Sequence, residues 1–244
     1  MTTVGRVCEI VRYPVKSMAG VATESAFLGW HGLDGDRRFA FRRVSDESGF
    51  PFLTASRFPE LILYRPAELK DAPNEVVPTL VRTPSGLEVE LRSPALVREL
   101  AERFGSDLEL HRFRNGIFDE GSVSLICPAT IARIGLEANM NLDRRRFRAN
   151  IVVASDDECA FVEDTWVERT LTFGDVDTGP AVNVTMRDER CMMVNLDPDS
   201  AKQDPQVMRA VVRLNDNCAG VYATVVRRGL IRIGDVVQVA GQAT

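Results

Sequence analysis

Short β-prone runs, each closed by a turn carrying Gly, Pro, Asn or Asp, recur along this chain and leave little room for helix. The tightest examples are Trp166 to Phe173 and Leu230 to Ile233, which run into Gly174-Asp175-Val176 and Gly234-Asp235-Val236. Strand, tight turn and strand in that order is the punctuation of a small β-barrel. Val7 to Val15 reads as a strand stopped at Pro14, which cannot donate to a ladder. Arg38–Val44, Leu61–Tyr64, Val76–Val81, Leu87–Leu91, Leu108–Phe113, Asn150–Val153 and Val221–Val226 read as further strands. Arg65 to Pro78, with three prolines and scattered charge, reads as a loop.

Helical spacing interrupts the pattern in few places. Ser93 can cap Pro94–Phe104, Gly105 ends it, and Leu96, Val97, Leu100 and Phe104 form one apolar stripe. Asp204–Leu214 carries Val207, Met208, Val211 and Val212 at the same spacing, and Pro128–Gly135 reads as a short helix stopped by its glycine. The expected fold is mostly β with α (α+β). A β-rich unit over residues 1–113 packs on a barrel formed by residues 114–244, with Arg114-Asn115-Gly116 as the break.

At 244 residues the chain buries a substantial core without needing disulfides. Its five cysteines, Cys8, Cys127, Cys159, Cys191 and Cys218, are odd in number and contain no CxxC, which points to a reducing compartment. His31 and His111 stand far apart, so a His-rich metal site is not expected. With no basic leader and no apolar run of membrane-spanning length, a soluble cytoplasmic protein is expected. The net charge of −5 argues against a general nucleic-acid binder. GxxxxGK[ST], GxGxxG and GxSxG are all absent, so neither a nucleotide cradle nor a serine-hydrolase elbow is supported.

Chemistry concentrates around Val184 to Pro198, where Arg190 precedes Cys191 and an apolar, β-prone run follows up to a turn at Asp197-Pro198-Asp199. A cationic neighbour favours thiolate, the form that attacks electrophiles and binds soft metals. A free cysteine in an apolar strand is, however, usually a small core residue. Cys8, Cys127, Cys159 and Cys218 sit among apolar or small neighbours and are expected to be inert. Arginines cluster at Arg37-Arg38, Arg42-Arg43 and Arg144-Arg145-Arg146 with Arg148. Such clusters are solvated faces or the wall of an anion pocket. Lys16-Ser17, emerging from a strand end, offers a further anion grip.

Tyr13-Pro14-Val15-Lys16-Ser17, Gly35-Asp36-Arg37-Arg38, Phe52-Leu53-Thr54 to Pro59, Arg146-Phe147-Arg148-Ala149-Asn150, Arg190-Cys191, and Gly220-Val221-Tyr222 before Gly234-Asp235-Val236 follow one another in a telling order. Across nearly the whole chain this order resembles proteins that join an N-terminal MOSC β-barrel to a MOSC domain. That group includes the mitochondrial amidoxime-reducing component and related bacterial reductases. The resemblance implies a molybdenum cofactor (Mo-molybdopterin), with Cys191 as the metal's thiolate ligand and catalytic centre. It implies Lys16, Ser17, Arg37, Arg148, Arg190 and Tyr222 as cofactor-binding residues, converging on a cleft between the two halves. Glu189 replaces a small hydroxyl residue common in these relatives, and Ser56 stands where an arginine is common.

The implied activity is reduction of N-hydroxylated or N-oxygenated small molecules. Because no cysteine-rich module follows the barrel, the electrons are expected from a separate electron-transfer protein. No nucleic acid or membrane partner is expected. The same thiolate and cationic wall would also serve a molybdenum-cofactor or sulfur carrier that turns over no substrate, or a binding protein that has kept the fold without the cofactor.

Overall fold

Up to Ile10 the strand β1 (Thr2–Arg12) is flanked on its two edges by segments that lie far along the chain, and from Ile10 to Arg12 it also pairs with the strand that follows it. In the computed structural model, which describes residues 1–72 and 75–240, it is followed by β2 (Val21–Thr23), β3 (Ser25–Gly29), β4 (Gly32–Leu33) and β5 (Phe39–Arg43). Next come β6 (Arg65–Ala72), β7 (Glu75–Arg82), β8 (Glu88–Glu90), α1 (Pro94–Phe104) and β9 (Leu108–Arg112). The remaining chain supplies β10 (Val123–Ile126), α2 (Pro128–Glu137), β11 (Ile151–Ser155), β12 (Thr170–Phe173) and β13 (Ala181–Glu189). It ends in α3 (Pro205–Asn215), β14 (Cys218–Arg227), β15 (Gly229–Arg232) and β16 (Val236–Val239).

Seven strands close into a barrel in the order β1, β11, β10, β14, β13, β12, β16 and back to β1. All neighbours are antiparallel except β10 and β11, which run parallel and are joined through α2. Closure leaves these strands no free edge inside the ring. Gly5 of β1 approaches β11 so closely that a Cβ there would overlap the Ala154 carbonyl, at φ +152°. Inside lies a core of alternating strand residues, including Val7, Ile10, Leu125, Val153, Phe173, Val184, Val221 and Val237, together with Trp166.

A second core gathers Phe39, Phe41, Leu53, Tyr64, Val81, Leu96 and Leu100 beneath β5–β9, β6–β7–β8 and α1. A third lies under α2 and α3, around Ile134, Phe147, Val207 and Val211. Ser93 caps α1 by accepting from the Leu96 N–H, and Gly105 closes it in the left-handed conformation. Asp204 caps α3. Among the described residues the main chain is thus mostly β with three α-helices, as its turn punctuation implies.

Four local expectations need correction. Residues 65–72 and 75–78 are not a loop: β6 pairs with β7 from Arg65 opposite Arg82 to Ala72 opposite Glu75, and positions 73 and 74 of the expected loop lie outside the described residues. Pro78 is tolerated because β8 covers β7 only from Leu80 to Arg82, leaving one edge at Pro78 with no strand partner among the described residues. Pro59–Leu63 is a 3₁₀ turn, not the entry to a strand, since Pro59 presets a helical φ at the first position. Helix α2 runs through Gly135 to Glu137. Gly135 serves close packing instead, because a Cβ there would lie 2.9 Å from the Met140 carbonyl oxygen. Finally, Trp166 ends a 3₁₀ turn, and Glu168 at φ +64° separates it from β12.

Candidate functional site

The run after Cys191, expected as a strand, is a 3₁₀ turn over Met192–Asn195. Its side chains explain the departure. Met192, Met193 and Leu196 enter the second core, while Val194 enters the third. Residues pointing in these directions suit a tight turn better than the two faces of a strand. The turn pins Cys191, exposed, where the two cores meet the barrel end.

Cys191 lines a cavity of about 310 Å³ together with Lys16, Ser17, Arg37, Arg148, Arg190 and Tyr222. All seven residues singled out in the sequence therefore face one space. Ser17, Arg37 and Arg148 hold the left-handed conformation, at φ 65°, 48° and 53°. Non-glycine residues adopt it at a cost, and such residues concentrate where a side chain must be aimed.

Each cation already has partners. Lys16 is buried, and its Nζ lies 2.8 Å from Asp119 Oδ1. Burial pushes the ammonium pKa down, with Asp119 opposing. Arg37 pairs with buried Asp36, whose other oxygen accepts the Tyr13 N–H at 2.5 Å, and it donates to Asn150 Oδ1 at 3.3 Å. Asn150 also donates to the Val11 carbonyl and accepts from the Ser124 N–H, tying β1, β10 and Arg37 together. Arg148 donates to the Met18 carbonyl at 2.7 Å and lies 4.3 Å from the centre of the Tyr13 ring. Burial depresses its guanidinium pKa to about 10.

Arg190 donates from Nε to the Ala219 carbonyl and from Nη1 to that of Phe147, both at 2.7 Å. Its Nη2 pairs with Asp188 Oδ2 at 2.9 Å. The guanidinium that adjoins Cys191 in sequence is therefore committed to the barrel end.

Several residues that line the cavity stand outside the cofactor-binding set expected from the sequence, although Arg146, Glu189 and Ser56 were marked there for other reasons. Arg146 lines the same cavity, buried, with bonds to the Val194 and Asn195 carbonyls and to Asp197. The basic clusters divide, for Arg144 and Arg145 face solvent and pair with Glu9, Asp143 and Asp199. Asp119, Glu120, Asp188 and Glu189 also line the cavity, so four carboxylates face five cations. Simple alternation does not find Asp188, because Met186 in the same phase as Val182 and Val184 is exposed and β13 shifts register between Val184 and Met186 before Asp188 turns inward. Ser56 is also in the wall.

The other thiols differ from expectation in one respect. Cys8 and Cys159 are exposed, because Cys8 occupies an outward position of β1 and Cys159 lies in the segment after β11. Cys127 is buried, and burial with nearby Glu163 drives its thiol pKa far up. Burial likewise raises Cys218.

Residues 118–238 match the MOSC domain, and residues 4–109 match the MOSC N-terminal beta barrel domain. The chain belongs to the MOSC family. Among its relatives, mitochondrial amidoxime reducing component 2 from Macaca fascicularis is 26% identical across 96% of this chain and 83% of that protein. The Homo sapiens protein of that name is 27% identical over the same shares. Mitochondrial amidoxime-reducing component 1 from Mus musculus is 27% identical across 98% of this chain and 83% of its own length. The crystal structure of the YUAD protein from Bacillus subtilis superposes with a TM-score of 0.51, at 15% identity over 96% of this chain and 94% of that one, and shares the fold. In this MOSC chain the cavity draws its wall from both matched regions, residues 16–56 on one side and 119–222 on the other.

Proposed function

We propose that this protein is a molybdenum-cofactor oxidoreductase that reduces N-hydroxylated or N-oxygenated small molecules, with electrons supplied by a separate electron-transfer protein. The carrying observation is the meeting, in one cavity, of an exposed thiol with guanidinium and ammonium groups brought from distant segments. The amidoxime-reducing relatives support the substrate class. Taking the chain as units 1–113 and 114–244, with β1 reaching into the barrel, the cavity lies along their seam.

The residues fit the cofactor. Among the described residues no cluster of three or more His, Cys, Asp or Glu side chains is arranged to hold a metal ion. A metal at Cys191 must therefore bring its other ligands with it, as a pterin-borne metal does. Lys16, Ser17, Arg37, Arg148, Arg190 and Tyr222 would hold the organic part and its phosphate, for which arginine forks are suited. At about 310 Å³ the cavity is of ligand size. When bound, the group supplies two-electron redox chemistry at the metal.

Glu189 and Asp119 favour a second reading, a cofactor carrier, because carboxylates beside an anionic pterin weaken its hold. One experiment separates the readings: purify the protein from a host that makes the cofactor, measure molybdenum and pterin, then assay reduction of an amidoxime with a chemical reductant. The reductase reading expects near one molybdenum per chain, turnover, and loss of the metal in folded Cys191→Ser. Metal without turnover favours the carrier, and its absence refutes both. No helix among the described residues is long and apolar enough to cross a membrane.

A further inference from the structure

Asp188 is 2% exposed, yet it borders the cavity and is not among the groups assigned above to holding the cofactor. Arg190 pairs with one oxygen, and the half-buried Tyr222 hydroxyl of β14 donates to the carboxylate. Arg37 faces it from the turn after β4 and Asp119 from the segment before β10, while the Cys218 thiol lies within its field. Burial is the largest influence and pushes the Asp188 pKa up to about 6, with Arg190, Arg37 and Tyr222 pulling down and Asp119 adding to the rise. Burial and Asp188 together hold the Tyr222 phenol well above its ordinary range, so it stays protonated.

We propose that Asp188 and Tyr222 form the proton relay of this cavity. When Asp188 is a carboxylic acid, the hydrogen bond between them turns round, and the phenolic O–H is free to point at a ligand. The inference rests on the reductase reading. Conversion of R–NH–OH to R–NH₂ and water breaks the N–O bond and consumes two electrons, from the protein donor, and two protons. Tyr222 gives one proton to the departing hydroxyl oxygen and takes the proton of Asp188. The second proton reaches nitrogen from solvent. Asp188 is left as a carboxylate held by Arg190, and solvent reprotonates it before the next cycle.

A bland alternative is that Asp188 only anchors Arg190. Asparagine at 188 separates the two, since its amide keeps the size and accepts a hydrogen bond while carrying no transferable proton. For the cofactor-loaded protein, the relay expects Asp188→Asn to retain molybdenum. Amidoxime turnover should fall by about 10²–10⁴-fold, and the decline in rate above pH 6 should disappear. Independently of activity, infrared difference spectra between wild type and Asp188→Asn should contain a protonated-carboxyl band that bleaches as pH rises through about 6. An ionised Asp188 throughout, a variant with unchanged turnover and pH profile, or a variant that loses the metal would each overturn the relay. A wild-type protein without molybdenum instead removes the reductase reading and its proton acceptor, while the infrared titration still decides whether Asp188 stores a proton.

Discussion

Removing the Arg190 side chain should destabilise the protein by an amount that depends on pH in a defined direction. Arg190 satisfies the carbonyls of Ala219 and Phe147 and neutralises Asp188, with both partners of the ion pair under 8% exposed. Below pH 5 Asp188 is largely protonated, so Arg190→Ala loses mainly the two carbonyl bonds. Each is worth about 1 kcal/mol, because a carbonyl at a cavity wall regains water. Above pH 6 the wild-type carboxylate is charged, and the variant leaves it buried without its partner. The folded pKa of Asp188 already exceeds its ordinary value, so wild-type stability from this group is full below pH 4 and is lost as pH rises through about 6. Loss of Arg190 raises the folded pKa further and extends that decline to higher pH. Every added unit deepens the deficit at pH 8 by about 1.4 kcal/mol, giving a total of about 3–5 kcal/mol, the range for breaking a buried pair. Urea unfolding at pH 5 and pH 8 measures it. Arg190→Lys, which keeps the charge but not the fork, should retain the carbonyl deficit with a smaller pH dependence. Equal deficits for Arg190→Ala at the two pH values would show that Asp188 and Arg190 are not energetically linked.

Native alkylation followed by peptide mapping should modify Cys191, Cys8 and Cys159 quickly and spare Cys127; occupancy of the cavity should protect Cys191 alone. Gly5→Ala should lower the urea midpoint by several tenths of a molar or more through displacement of β11, and an unchanged midpoint would show that the strands have room to separate. Glu163 is fully buried, accepts from the Cys127 N–H and the Thr130 hydroxyl, and so caps α2, whose own N-cap residue offers no side-chain bond. Its carboxyl pKa is raised by burial. Glu163→Gln should cost about 1–3 kcal/mol at pH 4, where wild type is neutral, and progressively less as pH rises and wild type must bury a charge.

What could be read from the sequence was local. Ser93, Pro94 and Gly105 mark both ends of α1 within a few residues, and Asp204-Pro205 does so for α3, because capping is chemistry between neighbours. Gly135 misled for the complementary reason. Its conservation of space answers Met140 and Leu142, which no helix-stop rule considers. Pro66 and Pro78 spoke against strands because the effect of a proline depends on whether a neighbour lies on each edge, which is a tertiary fact. Lys16, Arg37, Arg148 and Cys191 were found through the order of short motifs, not through any single spacing. Nothing in that order shows that each cation has its own carbonyl or carboxylate partner, or that Asp188 shares the cavity. Those relations arise where the chain doubles back, with Arg190 bonded to residues 29 and 43 positions away.

Barrel closure also sets a timetable. Both barrel neighbours of β1, β11 and β16, lie beyond residue 150, and β16 pairs with it only once the chain has been made to residue 239, while the nearby β2 reaches only Ile10–Arg12. During synthesis the first strand can pair early only with β2, through Ile10–Arg12, and the rest of its length waits for barrel partners made much later. The entropy of closing so long a loop must be met before the contacts reward it, which places the sealing of the barrel late in folding. In refolding followed by pulsed hydrogen exchange, the amides of β1 and β16 should become protected together and after those of β13 and β14, whose pairing spans a much shorter stretch of chain.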